Sequence, residues 1–225
     1  MKKINLLLIF ISLATFGQDN DPNNRSGFDT DKSGGFTGVF YNRVTPTEGT
    51  IYLFNNWEQS AVVHRILDDK FLVKRVNFNL NKMSFDAKIT ESEDVLSFSF
   101  DGIDKVEINN RVFKNLLYNK SNRIFEIFYS DDNVKFMKGF QIKLIKASQD
   151  PMVNRPNDKY VKSESYFLMN KGVITKIKLK KKVIYKTLNL NKGDISNLES
   201  FIKSTSISIK TEQDIIKLLA YLNSI

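Results

Sequence analysis

Cysteine is absent from all 225 residues, and histidine occurs once, at His64. The first absence excludes disulfides, thiolate nucleophiles and thiolate metal sites, so an exported form of the chain has only its core to hold it together. The second excludes HExxH-type zinc sites and multi-histidine metal centres. There is no GxSxG elbow to present a serine nucleophile and no glycine-rich phosphate loop. These gaps remove most catalytic layouts, and no cofactor or metal is expected. Long apolar runs are scarce too. Leu6–Phe16, broken by Ser12 and Thr15, falls well short of the roughly 20 residues that a bilayer-spanning helix needs.

Lys2 and Lys3 precede that run and Gly17-Gln18-Asp19-Asn20 follows it, the pattern of a secretory signal peptide over 1–17 cleaved before Gln18. The mature chain then has no transmembrane segment, is not a lipoprotein for want of a cysteine at the cleavage site, and resides in the periplasm or outside the cell. It is long enough for one domain that buries roughly 70% of its unfolded surface. The formal net charge is +9, unevenly spread: residues 157–225 hold 13 lysines against 6 acids, and the mature chain before them is neutral. Such asymmetry fits either an anionic partner or a solubilising face. The partner expected is an envelope protein or an anionic envelope surface, not nucleic acid.

What the sequence has in abundance is alternation. In Val76–Leu80 the apolar Val76, Phe78 and Leu80 share one face while Asn77 and Asn79 take the other; in Leu96–Phe100 the residues Leu96, Phe98 and Phe100 oppose Ser97 and Ser99. That is the period of a half-buried strand, one face oily and one wet. Further strands are expected at Thr50–Phe54, Ala61–Leu67, Phe71–Leu80, Ser84–Ile89, Val95–Phe100, Lys105–Ile108, Val112–Leu116, Ile124–Tyr129, Gly139–Ile145, Tyr160–Leu168 and Val173–Lys180. The breaks are short and carry Asn, Asp or Gly, as at Asn109-Asn110 and Asn170-Lys171-Gly172, which favours hairpins between sequence neighbours.

The period changes near the end. Lys182–Leu188 reads as a short helix or as more strand. Asn191 caps the next helix, with Asp194 at its third position and Ile195, Leu198 and Ile202 as its stripe; Thr211 caps the last, with Ile215, Leu218, Leu219 and Leu222 on one face. The fold class expected is α+β, mainly β: an antiparallel meander sheet, open or curled toward a barrel, with a C-terminal pair of short helices. Its organisation is a signal peptide over 1–17, an extended polar leader over 18–47 that adds one strand near Phe36–Tyr41, a β domain over 48–188, and a helical appendage over 189–225 packed on the sheet.

The run Gly49–Phe54 with Trp57 soon after, the segment Val106–Phe113, the triplet Asp158-Lys159-Tyr160, the lysine-rich strand and the helix-loop-helix end at Leu222-Asn223-Ser224-Ile225 resemble uncharacterised signal-peptide-bearing envelope proteins of Bacteroidota-type bacteria. The resemblance covers most of the mature chain and rests on strand-and-turn words. It brings no assigned activity, so it carries no functional residue over.

Candidate chemistry is sparse. His64 shares a strand face with Val62 and Ile66 and reads as a hydrogen-bonded structural residue. Asp29–Gly34 opens like a calcium loop, but its twelfth position is Phe40 rather than a bidentate Glu, so the expectation is a polar leader. Glu91, Glu93 and Asp94, Asp68-Asp69 and Asp131-Asp132 fall in turns, where short acids bond nearby backbone. Two features carry more. Lys176, Lys178, Lys180, Lys181 and Lys182 form a row of ammonium groups that either attracts an anion or guards an edge strand. The aromatics Tyr52, Phe54, Trp57, Phe78, Phe98 and Phe100 either line an apolar-ligand cavity or fill the core. The function expected is a non-enzymatic exported envelope accessory or interaction module; the alternative is a carrier of a lipid or other apolar ligand, and third comes a carboxylate-based hydrolase.

Overall fold

A computed structural model describes residues 46–67, 69–89, 94–148, 153 and 156–224. The signal peptide, nearly all of the polar leader with its strand at Phe36–Tyr41, the Asp29–Gly34 segment, and Asp68, Glu91 and Glu93 lie outside those residues. Twelve strands and three helices follow in order: β1 Thr47–Glu48, β2 Ser60–Arg65, β3 Lys70–Lys74, β4 Val76–Asn79, β5 Ser84–Lys88, β6 Val95–Phe98, β7 Ile103–Ile108, β8 Arg111–Tyr118, β9 Ser121–Ser130, β10 Val134–Ile145, β11 Asp158–Asn170, β12 Val173–Ile177, α1 Lys181–Leu188, α2 Lys192–Thr205 and α3 Glu212–Leu222. The protein is mainly β, and its sheets are built of antiparallel strands.

The main sheet runs β1-β11-β10-β9-β8-β7-β2-β3, with β12 also on β11, and it stays open. From β7 to β12 it is a meander, and three of its connections are tight hairpins. Asn109 and Asn110 (φ 50° and 62°), Asn119 and Lys120 (50° and 66°), and Lys171 and Gly172 (48° and 81°) each place two consecutive residues in the left-handed region. That is the backbone of the tight two-residue hairpin. The short β1 is the exception to antiparallel pairing, since it lies parallel to the start of β11.

The expected strand Phe71–Leu80 is corrected to two. Arg75 takes a positive φ of 56°, which turns the chain out of the main sheet after β3 and into a second sheet of β4, β5 and β6. That small sheet packs on the face of the main sheet that carries Phe140, and we call this the inner face. Between the two sheets lies a core that includes Phe78, Phe85, Phe113 and Ile124.

Further along the same face, around Phe136 and Leu168, sits a second core under the helices. The structure has three C-terminal helices rather than a pair, because Lys181–Leu188 is helical and buries Ile184, Tyr185 and Leu188. The other two form on the expected signals. Asn191 and Asp194 make a reciprocal capping box and Leu198 and Ile202 are buried; Thr211 accepts from the Asp214 amide and Ile215, Leu218 and Leu219 are buried.

Between the two cores the inner face turns polar. Glu126 follows Ile124 and precedes Phe128 on β9, and Lys138 lies between Phe136 and Phe140 on β10. Arg111 holds Glu126 with two hydrogen bonds, Nε at 2.7 Å and Nη2 at 2.8 Å. Lys138 meets Glu212 at 2.6 Å and Glu164 at 3.1 Å. Burial pushes the Lys138 ammonium down, and the two carboxylates more than reverse it, so the net direction is up.

Candidate functional site

The five lysines of the sequence row do not stay together. Lys176 lies on the edge strand β12; Lys178 and Lys180 are exposed in the connection after it; Lys181 and Lys182 belong to the first turn of α1. Lys181 is taken by Glu199 at 2.7 Å. The structure therefore splits one linear run among three surroundings, and only Lys182 enters the groove described next.

That groove lies between β12 and α1 and encloses about 800 Å³. Its apolar lining follows from helical spacing. Ile184, Tyr185 and Leu188 turn into the core, which leaves Val183 and Thr187, four residues apart, facing Val173 and Thr175 of the strand. Thr187 is fixed from both sides: its hydroxyl donates to the Val183 carbonyl at 2.8 Å, and its own carbonyl accepts from Asn170 Nδ2 at 3.1 Å. Val173 is 67% exposed, so an apolar side chain stands in water at the mouth. Around it are Lys171, Lys182 and Lys186, and no carboxylate among the described residues lines the groove.

The electrostatics of α1 break the usual rules. No acid occupies its first turn, its N-cap is Lys180 with no side-chain cap, and Lys181 and Lys182 sit where the helix dipole is positive. Cations there are unfavourable by about 0.3–1 kcal/mol each. Lys182 and Lys186, at four-residue spacing on one face, add a like-charge pair. A helix that tolerates this concentration of positive charge beside an apolar trough is suited to an amphiphile with an anionic head.

The six aromatics go elsewhere. Phe54, Phe78, Phe98 and Phe100 belong to the core between the sheets, where Phe85 meets Phe78 at 5.1 Å and Phe98 and Phe100 at 5.8 Å. Tyr52 packs edge-on against Trp57 at 4.7 Å, and Lys88 lies over the Trp57 ring. These side chains fill space rather than line the groove.

The single histidine, Glu107 and Asp131 lie outside the groove lining. His64 Nε2 lies 3.2 Å from Glu107 Oε1, so the histidine stands against a carboxylate on its strand face. The Glu107 carboxylate is bound by Lys105 at 2.6 Å, which lowers its pKa. Asp131 closes its turn by accepting from the Asn133 and Val134 amides at 2.8 and 2.7 Å. Burial pushes its pKa up, and these bonds more than offset that.

Two groove residues, Lys171 and Lys186, were not singled out from the sequence. Lys186 was legible as the partner of Lys182 four residues on, once helix was chosen over strand; Lys171 is brought in by the hairpin turn. Comparison with known protein families, with curated proteins and with solved structures finds no match in any of the three.

Proposed function

We propose that the chain is a non-enzymatic interaction module, exported to the bacterial envelope, that seats itself on an anionic amphiphile. The acyl portion enters the β12–α1 groove, and Lys171, Lys182 and Lys186 hold the head group. The observation that carries this reading is an apolar trough ringed by three lysines with no acid in its lining. The concentration of lysine in residues 157–225 supports it, since a net positive end is drawn to an anionic surface over about a Debye length. Because Val173 stands 67% exposed at the groove's mouth, attachment at a surface fits it better than enclosure and carriage of a lipid.

Vesicle sedimentation tests this. The protein should pellet with phosphatidylglycerol vesicles and not with phosphatidylcholine ones, and retention should fall at least tenfold when Lys171, Lys182 and Lys186 are all changed to Glu. Three lysines near an anionic surface contribute about 1 kcal/mol each, which makes a smaller loss inconsistent with the reading. Equal retention of the folded triple variant would overturn it.

A further inference from the structure

The outer face of the main sheet, opposite the two cores, holds a basic cavity that the groove does not explain. Alternation along β9 sends Arg123 to this face together with Phe125, while Ile124 and Glu126 point inward. The Arg123 guanidinium lies over the bare backbone of Gly139. A Cβ built there would stand 3.2 Å from its Nη2, 2.8 Å from the Phe167 ring and 3.2 Å from the Phe125 ring. Nη2 donates to the Phe140 carbonyl at 2.9 Å, and the rings of Phe167, Phe125 and Tyr118 stand 5.2, 5.5 and 5.9 Å from the guanidinium carbon.

These contacts orient the charge without neutralising it. Arg111 and Lys138, half-buried on the inner face, each have a carboxylate within 2.7 Å. Arg123 has a carbonyl and three aromatic faces, and its Nε is buried with no hydrogen-bond partner. Burial pushes its pKa down, as expected where a cation loses water without gaining an anion.

Beside it lies a cavity of about 360 Å³, within the size range of small-ligand sites. Ser121, Gln141, Ser165 and Lys176 line it with Arg123, and among the described residues it has no acidic lining residue. The register explains why. Ser165 stands across from Gly139, Ser163 from Gln141 and Lys176 from Phe167, so the outer positions near the cavity are Ser, Gln and Lys, and Glu164 is turned inward. Lys176 is the residue of the lysine row that lies on the edge strand β12.

We propose that this cavity binds the phosphoryl group of a phosphate monoester, with Arg123 and Lys176 supplying charge and Ser165 and Gln141 supplying hydrogen bonds. Two cations with no acid match the charge of about −2 on a phosphate monoester better than the single charge of a carboxylate. A guanidinium already fixed by aromatic walls loses little freedom on binding, and its fork suits paired phosphate oxygens. The site stands apart from the groove and holds whether or not the groove takes an amphiphile.

The test follows the Arg123 side-chain Nε–H resonance during titration with inorganic phosphate, glycerol phosphate and acetate at fixed ionic strength. Saturable shifts with both phosphates, at least tenfold weaker with acetate, are expected. Lys176→Gln, a change at an exposed position that leaves the fold intact, should weaken phosphate binding at least threefold, and Gly139→Ala should abolish it. The Lys171, Lys182 and Lys186 triple variant should titrate like the parent, so failure at one site is read separately from failure at the other. Phosphatidic acid vesicles separate the sources when offered to the Lys171, Lys182 and Lys186 triple variant, whose groove no longer holds an anionic surface: retention that Lys176→Gln then removes would assign a lipid-borne phosphoryl group, and no such retention while the phosphate titration persists would assign a soluble ester. No saturable shift with phosphate, or the same affinity in Lys176→Gln as in the parent, would overturn the proposal.

Discussion

Asp86 is 1% exposed, and among the described residues it is held by neutral donors. Tyr52 Oη and Asn79 Nδ2 donate to Oδ2 at 3.0 and 2.8 Å, and Ser84 and Ser97 hydroxyls donate to Oδ1 at 3.2 and 2.7 Å. Asn77, also 1% exposed, is satisfied in a similar way, accepting from the Phe54 and Phe78 amides and donating to the Phe54 and Asn56 carbonyls. Alternation assigned Asn77 and Asn79 to a wet face, and here it misled. Ile51–Leu53 pairs along the edge of β4, and Tyr52 and the backbone of Phe54 and Asn56 bond the side chains of Asp86 and Asn77 on the polar face; all of β4 is buried, and period-two patterning carries no signal for a cover supplied from another segment. Replacing Asp86 by Ala strands four donors and should cost about 3 kcal/mol, read as a lower urea midpoint at unchanged slope, whereas Tyr52→Phe should cost about 1. An Asp86→Ala loss below that of Tyr52→Phe would contradict the network.

At the scale of elements, hairpins and the last two helices were legible because their signals are local: paired left-handed residues in the turns, Asn191 and Thr211 at the caps. The first helix was legible only as one of two readings, since its lysine-crowded start lacks any cap, and the split of β3 from β4 was not, since Arg75 is no usual residue for a positive φ. Least legible was the polar seam between the cores. Glu126 sits in Ile-Phe-Glu-Ile-Phe, where nothing in sequence names Arg111, fifteen residues earlier, as its partner. The pair is nearly dry on one side, with the Glu126 side chain 5% exposed. Arg111→Met should therefore destabilise by about 3–5 kcal/mol, and adding Glu126→Leu should recover most of that loss, because removing both charges also removes their desolvation cost. Strict additivity of the two changes in a double-mutant cycle would show the pair uncoupled and defeat this account.

For the whole molecule, the sequence disclosed how much positive charge there is but not where it acts. Of the five lysines in one row, one lies at the Arg123 cavity, two are exposed in a connection, one is paired to Glu199 and one lines the groove, because a strand, a turn and a helix start meet within seven positions. The same distribution sets the pH range of the fold. Glu199 is held below its ordinary 4.5 chiefly by Lys181, and Asp214 below 3.8 chiefly by the Ser208 hydroxyl; both serve the helices. Groups lowered on folding contribute fully above those values and lose their contribution as pH falls through the lowered ones, while the growing positive charge adds repulsion. At the other end Tyr52 and Tyr129 are raised from 10.0 to about 12, chiefly by burial, so their contribution is complete below 10.0 and is lost as pH climbs toward 12. The melting temperature should thus be flat from about pH 6 to 9, fall by more than about 5 °C by pH 3, and fall again above pH 10 in step with tyrosinate absorbance. The acid loss should shrink in Glu199→Gln, which gives up the Lys181 contact at every pH. An acid limb of the same size in that variant would mean that the helices are held to the sheet by their apolar stripes alone.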